Sequence, residues 1–254
     1  MSSRAADLQP SYKVANAPLN LFPYPHFFVQ DIFDADYYVQ IQAHLPDPKD
    51  MRPIGEVRPV RGYNERFVME LGSRQLEALP REKQAFWRDL NSWIVGGRFG
   101  ELVLNKFGQF MNQRFGATEV GLYEEAMLVQ DITNYALGPH TDATRKVITM
   151  LFYLPPDVSQ AHLGTSIYVP KQPNFRCNGG PHYPHEGFER LCTMPFLPNC
   201  LFAFFKTDNS FHGVERVADP DCKRWLLLYD VYVDEKGAST APARQPTADV
   251  KFSF

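Results

Sequence analysis

Residues 134–149 read NYALGPHTDATRKVIT, and the rest of the chain is best interpreted from this stretch. It holds a histidine and an aspartate two positions apart, His140 and Asp142. In an extended backbone, side chains at positions i and i+2 point to the same side. An imidazole nitrogen and a carboxylate oxygen placed in this way can reach one metal ion. The stretch therefore predicts two ligands of a metal site.

A third candidate ligand, His212, lies seventy residues further on (212 − 142 = 70), at the start of another predicted strand. Two histidines and one carboxylate form the facial triad of non-haem Fe(II) sites, which leaves coordination positions open for a chelating co-substrate and O2. A His-x-Asp tripeptide alone is a weak signal, but its combination with a distant histidine on a second strand is more specific. We therefore predict that His140, Asp142 and His212 are both the metal ligands and the catalytic residues.

The next candidate is Arg224, which begins the strand after the one that carries His212. A keto-acid that chelates iron through its 1-carboxylate and 2-keto oxygens still has a distal carboxylate to be held. A guanidinium group suits this task because its planar fork binds a carboxylate bidentately. Tyr153, on the strand after the His-x-Asp pair, is placed to add a hydroxyl to the same carboxylate.

Lys223 competes with Arg224 for the anchoring role, because the two residues are adjacent. Alternation along a strand favours Arg224. If Arg224 points inward, Leu226 and Leu228 also point inward, while Lys223 faces the other way.

The pattern of apolar residues changes near residue 120. Before that point, the spacing and the end signals predict helices over residues 34–45, 80–95 and 99–114. After it, short segments rich in Val, Ile, Thr, Tyr and Phe predict seven strands: 126–135, 146–154, 164–170, 191–195, 199–206, 212–217 and 224–233. Because the helices precede the strands, the order disfavours a parallel sheet and favours a β-sandwich or jelly roll supported by helices.

We interpret residues 1–254 as one domain with four regions. These are a loosely ordered tail (1–20), a helical support region (21–118), a jelly-roll catalytic core (119–235) and a C-terminal extension (236–254). The segment from about 171 to 190 is predicted to be a mobile loop beside the metal site, because its Gly and Pro content favours neither helix nor strand. For the same reason, His182 and His185 within it are not expected to form a second metal site.

At these residues the chain resembles the Fe(II)/2-oxoglutarate-dependent oxygenases, in particular their prolyl-hydroxylase-like branch. The resemblance covers roughly residues 120–233, and the matching segments are GPHTD (138–142), VITMLFYL (147–154), LGTSIY (163–168), LPNCLFAF (197–204), SFHGV (210–214) and KRWLLLY (223–229). It implies a double-stranded β-helix (jelly roll), with iron held by His140, Asp142 and His212. It also implies that 2-oxoglutarate is held by Arg224, with Tyr153 near its carboxylate.

The composition excludes several other classes. Twenty-six basic and 29 acidic residues give a net charge of −3, which is not the charge of a general nucleic-acid binder. No apolar run reaches the roughly 18 residues of a membrane span, and the N-terminus does not have the pattern of a secretory signal. Four cysteines without a Cys-x-x-Cys pair are typical of reduced thiols, so we expect a cytoplasmic protein.

The sequence thus predicts an Fe(II)- and 2-oxoglutarate-dependent dioxygenase. We expect it to hydroxylate a C–H bond and to release succinate and CO2, with a small molecule or metabolite favoured as its substrate. Three alternatives remain: a protein or peptide hydroxylase of the same class, a cupin-type dioxygenase that needs no keto-acid, and a non-catalytic jelly-roll binding protein. Arg224 argues against the cupin-type dioxygenase, since an enzyme that needs no keto-acid needs no carboxylate anchor.

Overall fold

Two antiparallel sheets form the centre of the structure, a computed structural model that describes residues 7–58, 62–95 and 97–234. In chain order their strands are β1 (His26–Gln30), β2 (Arg52–Pro53), β3 (Arg66–Glu70), β4 (Leu122–Ile132), β5 (Leu137–His140), β6 (Lys146–Tyr153), β7 (Thr165–Pro170), β8 (Phe188–Met194), β9 (Cys200–Phe205), β10 (His212–Val214) and β11 (Lys223–Val233).

The larger sheet has the strand order β1-β9-β6-β11-β4-β3-β2, and the smaller sheet has the order β5-β10-β7-β8. From β4 onward the chain passes repeatedly from one sheet to the other. Side chains of both sheets meet in one buried cluster, which includes Tyr153 and Phe202 of the larger sheet and Ile167 and Val214 of the smaller. The prediction of a mainly β, jelly-roll-like protein with flanking helices is confirmed at this level.

Strand β11 explains how one sheet serves both the core and the interior between the sheets. Leu227 and Tyr229 belong to the large apolar core under the helices. Arg224, Leu226 and Leu228 line a cavity on the opposite face. Because successive strand residues point to opposite faces, this placement is the alternation predicted from the sequence.

Six α-helices within the described residues pack largely on the outer face of the larger sheet. They are α1 (Leu8–Asn16), α2 (Ala35–His44), α3 (Ile54–Val57), α4 (Arg81–Ile94), α5 (Arg98–Lys106) and α6 (Gly108–Phe115). The predicted start of α2 is confirmed, since the Asp34 carboxylate accepts a hydrogen bond from the Asp36 N–H at 3.0 Å. Gly116 ends α6 with a positive φ of 60°, as its position in the sequence predicts.

The helix predicted over residues 99–114 is in fact two helices, α5 and α6. They are separated at Phe107, whose φ of −94° and ψ of 11° depart from helical values. The Phe107 ring is fully buried and stacks on Phe27 of β1 at 5.6 Å. We attribute the break to this packing, which only the folded chain brings together.

The structure describes most of the predicted N-terminal tail but none of the predicted C-terminal extension. Residues 1–20 were expected to be loosely ordered, but α1 lies within them and places Val14 in the core at 0% exposure. The predicted extension at 236–254 lies outside the described residues. The four cysteines are free thiols.

The sequence of residues 51–73 did not predict strands, yet β2 and β3 lie there and extend the larger sheet beyond β4. β3 pairs with β4 in a register that puts Arg66 opposite Asp131. Arg66 of this extension lines a cavity between the two sheets. Among the described residues, no helix is both long enough and apolar enough to cross a bilayer.

Candidate active site

The three predicted metal ligands meet at the edge of the smaller sheet. His140 is the last residue of β5 and pairs directly with His212, the first residue of β10, while Asp142 lies two residues beyond β5. One ligand atom from each residue lies within 4.8 Å of the other two, and all three residues are buried. This is the arrangement that a single ion with three protein ligands requires.

Backbone contacts orient both imidazoles. His140 Nδ1 lies 3.0 Å from the Gly138 carbonyl oxygen, and His212 Nδ1 lies 2.9 Å from the Ser210 carbonyl oxygen. A hydrogen bond donated by Nδ1 to a carbonyl leaves Nε2 with a lone pair for a metal. Gly213 helps to bring the rings together, since a Cβ there would lie 2.4 Å from the Leu137 carbonyl oxygen of β5.

Electrostatics favour the ligand forms of all three side chains. Burial lowers the pKa of His212, and burial together with the His212 ring lowers the pKa of His140 well below its ordinary value. Burial alone would raise the pKa of Asp142, but its charged and hydrogen-bonded neighbours, Lys146 foremost, outweigh it and lower that pKa. Neutral imidazoles beside an ionised carboxylate form a donor set that fits a divalent iron ion.

Lys146 is a site residue that the sequence reasoning missed. Its ammonium group lies 3.3 Å from Asp142 Oδ1 and 3.1 Å from Asp230 Oδ1. The Thr149 hydroxyl donates to the other oxygen of Asp142 at 2.7 Å. The lysine and the threonine together fix the orientation of the carboxylate. The four-residue spacing from Asp142 to Lys146 gave no signal, because the intervening residues are not helical.

We expect Lys146→Met to weaken iron binding on the order of 10–100-fold, the usual effect of removing a group that orients a metal ligand. It also leaves two buried carboxylates without their cation. The measurement is the iron dissociation constant by competition with a chelator. The matched control is Lys49→Met, because Lys49 forms an exposed ion pair with Asp47 far from the site in sequence. Equal iron affinity in wild type and Lys146→Met would show that the lysine does not position Asp142.

Arg224 occupies the other end of the same cavity and is 1% exposed. Its Nε donates to the Leu163 carbonyl oxygen at 2.7 Å, and its Nη1 donates to Asp131 Oδ2 at 2.7 Å. Lys223 is exposed and does not line the cavity. The inward orientation of Arg224 was predicted from strand alternation, whereas its ion pair with Asp131 was not.

Tyr153 lies near Arg224 but is not among the residues that line the cavity. It is 0% exposed, and its hydroxyl oxygen accepts a hydrogen bond from the Thr165 N–H at 3.3 Å. Burial raises its pKa to about 12. The Arg224 guanidinium carbon lies 6.0 Å from the centre of the tyrosine ring. The predicted contact of this hydroxyl with a co-substrate carboxylate stays a prediction.

The cavity between the triad and Arg224 has a volume of about 190 Å³. Its apolar wall consists of Ile54, Leu137, Leu151, Val214, Leu226 and Leu228. The sequence predicts that Ile148, Met150, Phe202 or their neighbours form this wall, and Leu151 is such a neighbour. Ile148 and Met150 instead face the helices, because Thr149 and Leu151 take the inner face of β6.

The segment 171–187 lies beside the triad, as predicted, and hydrogen bonds hold it there. Thr141 Oγ1 donates to the Cys177 carbonyl at 2.8 Å, and the Tyr183 N–H donates to the Pro139 carbonyl at 2.8 Å. A Cβ on Gly179, whose φ is 109°, would lie 2.4 Å from the Asp142 carbonyl oxygen. The segment therefore packs directly on β5 and the residues that follow it, where the candidate metal ligands His140 and Asp142 lie.

His182 and His185 of this segment have different surroundings. The His182 ring centre lies 4.3 Å from that of His140, and its Nδ1 is hydrogen-bonded to the Tyr63 hydroxyl. His185 lies outside the cavity, 3.9 Å from Glu215. In the described part of the chain, neither belongs to the cluster of candidate metal ligands. His182 and Tyr63 instead line the cavity beside the triad.

Comparison with known proteins gives matches to solved structures alone. No family model matches the sequence, and no curated protein matches it. The fold is similar to the epimerase SnoN in complex with Fe3+, alpha ketoglutarate (2-oxoglutarate) and nogalamycin RO, with 15% identity, 98% coverage of each chain and a TM-score of 0.49. It is also similar to a Pseudomonas putida prolyl-4-hydroxylase, with 14% identity, coverage of 93% of this chain and 100% of that chain, and a TM-score of 0.45.

A third similar structure is HygX from Streptomyces hygroscopicus with nickel, 2-oxoglutarate and hygromycin B bound. The identity is 10%, 82% of each chain is covered, and the TM-score is 0.43. The solved structures to which this chain is similar thus include non-haem, alpha ketoglutarate-dependent enzymes, the kind of protein that its sequence resembles.

Proposed function

We propose that the chain is an Fe(II)- and 2-oxoglutarate-dependent oxygenase that hydroxylates a C–H bond and releases succinate and CO2. The observation that carries the proposal is the buried group of His140, Asp142 and His212, whose ligand atoms lie within 4.8 Å of one another. The passage of the chain between two antiparallel sheets from β4 onward supports a double-stranded β-helix.

The protein contributes binding, orientation and exclusion of water. His140, Asp142 and His212 would hold the iron, and Lys146 and Thr149 keep the Asp142 carboxylate in place. The bound iron and the keto-acid together supply the oxidising chemistry. Leucine side chains such as Leu151 and Leu226 exclude water from the space beside the triad. This protects a reactive centre from polar side reactions.

The buried arginine and the triad favour a keto-acid-dependent enzyme over a cupin-type dioxygenase and over a non-catalytic binding protein. Arg224 lines the same cavity as the triad, where it can anchor the distal carboxylate of a keto-acid, and a dioxygenase without a keto-acid needs no such anchor. A non-catalytic binding protein has no use for neutral histidines oriented around an ionised aspartate. Burying these groups costs folding free energy, so their joint presence is best explained by a bound metal and a bound carboxylate.

We further propose a small molecule or metabolite as the prime substrate, in preference to a protein residue. His182 and Tyr63 approach each other beside the triad and line the cavity together. The cavity volume of about 190 Å³ is smaller than the roughly 300–1,000 Å³ of typical drug-sized pockets. Such a space accepts the co-substrate and a compact group of the substrate more readily than an extended peptide.

The first test is anaerobic addition of Fe(II) and then 2-oxoglutarate to the metal-free protein. We expect a visible charge-transfer absorption band that saturates at one equivalent of each, because a keto-acid chelated to Fe(II) absorbs in this way. The same addition to His212→Ala should give no band. A wild-type protein that binds Fe(II) without forming the band with 2-oxoglutarate would contradict keto-acid dependence.

The second test is admission of O2 to the same sample with quantification of succinate. We expect slow succinate formation even without a prime substrate, and faster formation when a compound from a metabolite mixture fits the site. Stimulation by peptides alone would favour the protein-hydroxylase alternative. Consumption of O2 without any succinate would favour the cupin-type alternative.

A further inference from the structure

Three charged side chains form a row across neighbouring strands at the Arg224 end of the cavity. Arg66 of β3 and Arg224 of β11 both lie opposite Asp131 of β4 in the strand registers. Arg66 donates from Nε to Asp131 Oδ1 at 2.6 Å and from Nη2 to Oδ2 at 2.9 Å. Arg224 donates from Nη1 to the same Oδ2 at 2.7 Å. The Arg66 side chain is 15% exposed, that of Arg224 is 1% exposed, and that of Asp131 is 0% exposed.

The charges of this row do not cancel. Two guanidinium groups and one carboxylate leave a net charge of +1, and a buried net charge is unfavourable unless a counter-ion is present. Arg224 and Asp131 alone would be neutral. The surplus positive charge therefore depends on Arg66, which the sequence reasoning did not identify as a site residue.

Several hydrogen-bond donors at this end of the cavity also lack a protein partner among the described residues. Arg66 Nη1 and Arg224 Nη2 form none of the hydrogen bonds found there, and both arginines line the cavity. Tyr135 lines the same cavity, and its buried hydroxyl has no hydrogen-bond partner among the described residues. The Arg66 guanidinium lies over the Tyr135 ring at 4.4 Å, so these two residues are direct neighbours in the cavity wall.

We propose that Arg66 binds the ligand carboxylate together with Arg224. Because Asp131 neutralises the charge of Arg224, a second cation is needed to attract that carboxylate. The ligand is the distal carboxylate of the keto-acid, so this inference rests on the proposed function. One carboxylate supplies the missing negative charge and accepts hydrogen bonds from both guanidinium groups. Arg66 lies in the N-terminal region, outside the segment that resembles the oxygenases.

Charge arithmetic gives a test in which a second substitution restores function. The row carries +1 in wild type, 0 in Arg66→Met, and +1 again in the double variant Arg66→Met/Asp131→Asn. We expect Arg66→Met to weaken 2-oxoglutarate binding on the order of 30-fold or more. The double variant should regain on the order of tenfold or more of that loss, because Arg224 is then no longer neutralised.

The readout is the dissociation constant from anaerobic titration of the Fe(II)-loaded protein, followed by the charge-transfer band or by calorimetry. A parallel titration uses 2-oxopentanoate, which chelates iron in the same way but has no distal carboxylate. Its affinity should change less than threefold among the variants. The matched control is Arg58→Met, since Arg58 is paired with Glu70 and Glu125 on the same sheet but does not line the cavity.

The outcomes separate the inference from the function on which it rests. If the wild type does not bind 2-oxoglutarate, the proposed function fails. If the wild type binds and Arg66→Met binds equally well, the inference alone fails. It also fails if Arg66→Met weakens both keto-acids equally, or if the double variant binds more weakly than the single one, since a structural role of Arg66 predicts these results.

Discussion

We expect His212→Ala to abolish iron retention while the protein remains folded. The change removes one of the three proposed protein ligands, and the two that remain do not hold iron against a chelator. His212 begins the three-residue strand β10, whose pairing with β5 and β7 uses backbone atoms that the change leaves in place. We therefore expect less than one-tenth of an equivalent of iron and no succinate, with a near-native circular dichroism spectrum.

The matched control for this variant is His162→Ala. His162 is exposed and forms a surface contact with Asp219 at 2.9 Å, so its loss should leave iron content unchanged. His140→Ala should behave like His212→Ala. Stoichiometric iron in either variant, together with undiminished succinate formation, would remove the triad assignment.

The clustering of His140, Asp142 and His212 was predictable from sequence because the geometry is largely local. His140 and Asp142 are two residues apart, and this spacing alone places both side chains on one side of an extended chain. His212 required only the recognition that a second strand begins there. β5 itself was not predicted as a separate strand, since its Gly138 and Pro139 are typical of turns.

The partners of the triad and of Arg224 were not predictable in the same way. Asp131 and Arg66 meet Arg224 only through the registers of three strands, and Arg66 precedes Arg224 by more than 150 residues. A register between distant strands is decided by the packing of the whole sheet, which no local pattern encodes. The ion pair of Lys146 with Asp142 was not predictable either, because the residues between them form an irregular turn.

The residues that face the cavity from β11 and β6 differ in how far the sequence predicts them. The phase of β11 was predicted correctly, since Arg224 and Leu226 share the inner face. The phase of β6 stays open at the level of sequence, because apolar residues lie on both faces of that strand and hide the alternation. Thr149 faces inward, where the Asp142 carboxylate satisfies its hydroxyl.

Arg224→Met should weaken 2-oxoglutarate binding at least as much as Arg66→Met, whereas Lys223→Met should change it less than twofold. Arg224 is the deeper of the two arginines, at 1% exposure, and a carboxylate contact there is well shielded from water. Truncating one partner of a buried, hydrogen-bonded charge pair costs about 2–5 kcal/mol, which corresponds to tens-fold to thousands-fold in affinity. Lys223 is adjacent in sequence but exposed to solvent.

The change at Arg224 also removes a partner from Asp131 and from the Leu163 carbonyl oxygen. Asp131 keeps two hydrogen bonds from Arg66, so we expect a folded variant with a lower melting temperature. Comparing iron affinity with 2-oxoglutarate affinity isolates the effect, because the triad does not contact Arg224. Iron affinity should stay within about threefold of wild type while the 2-oxoglutarate dissociation constant rises. Equal losses at Arg224 and Lys223 would mean that the anchor of the keto-acid lies elsewhere.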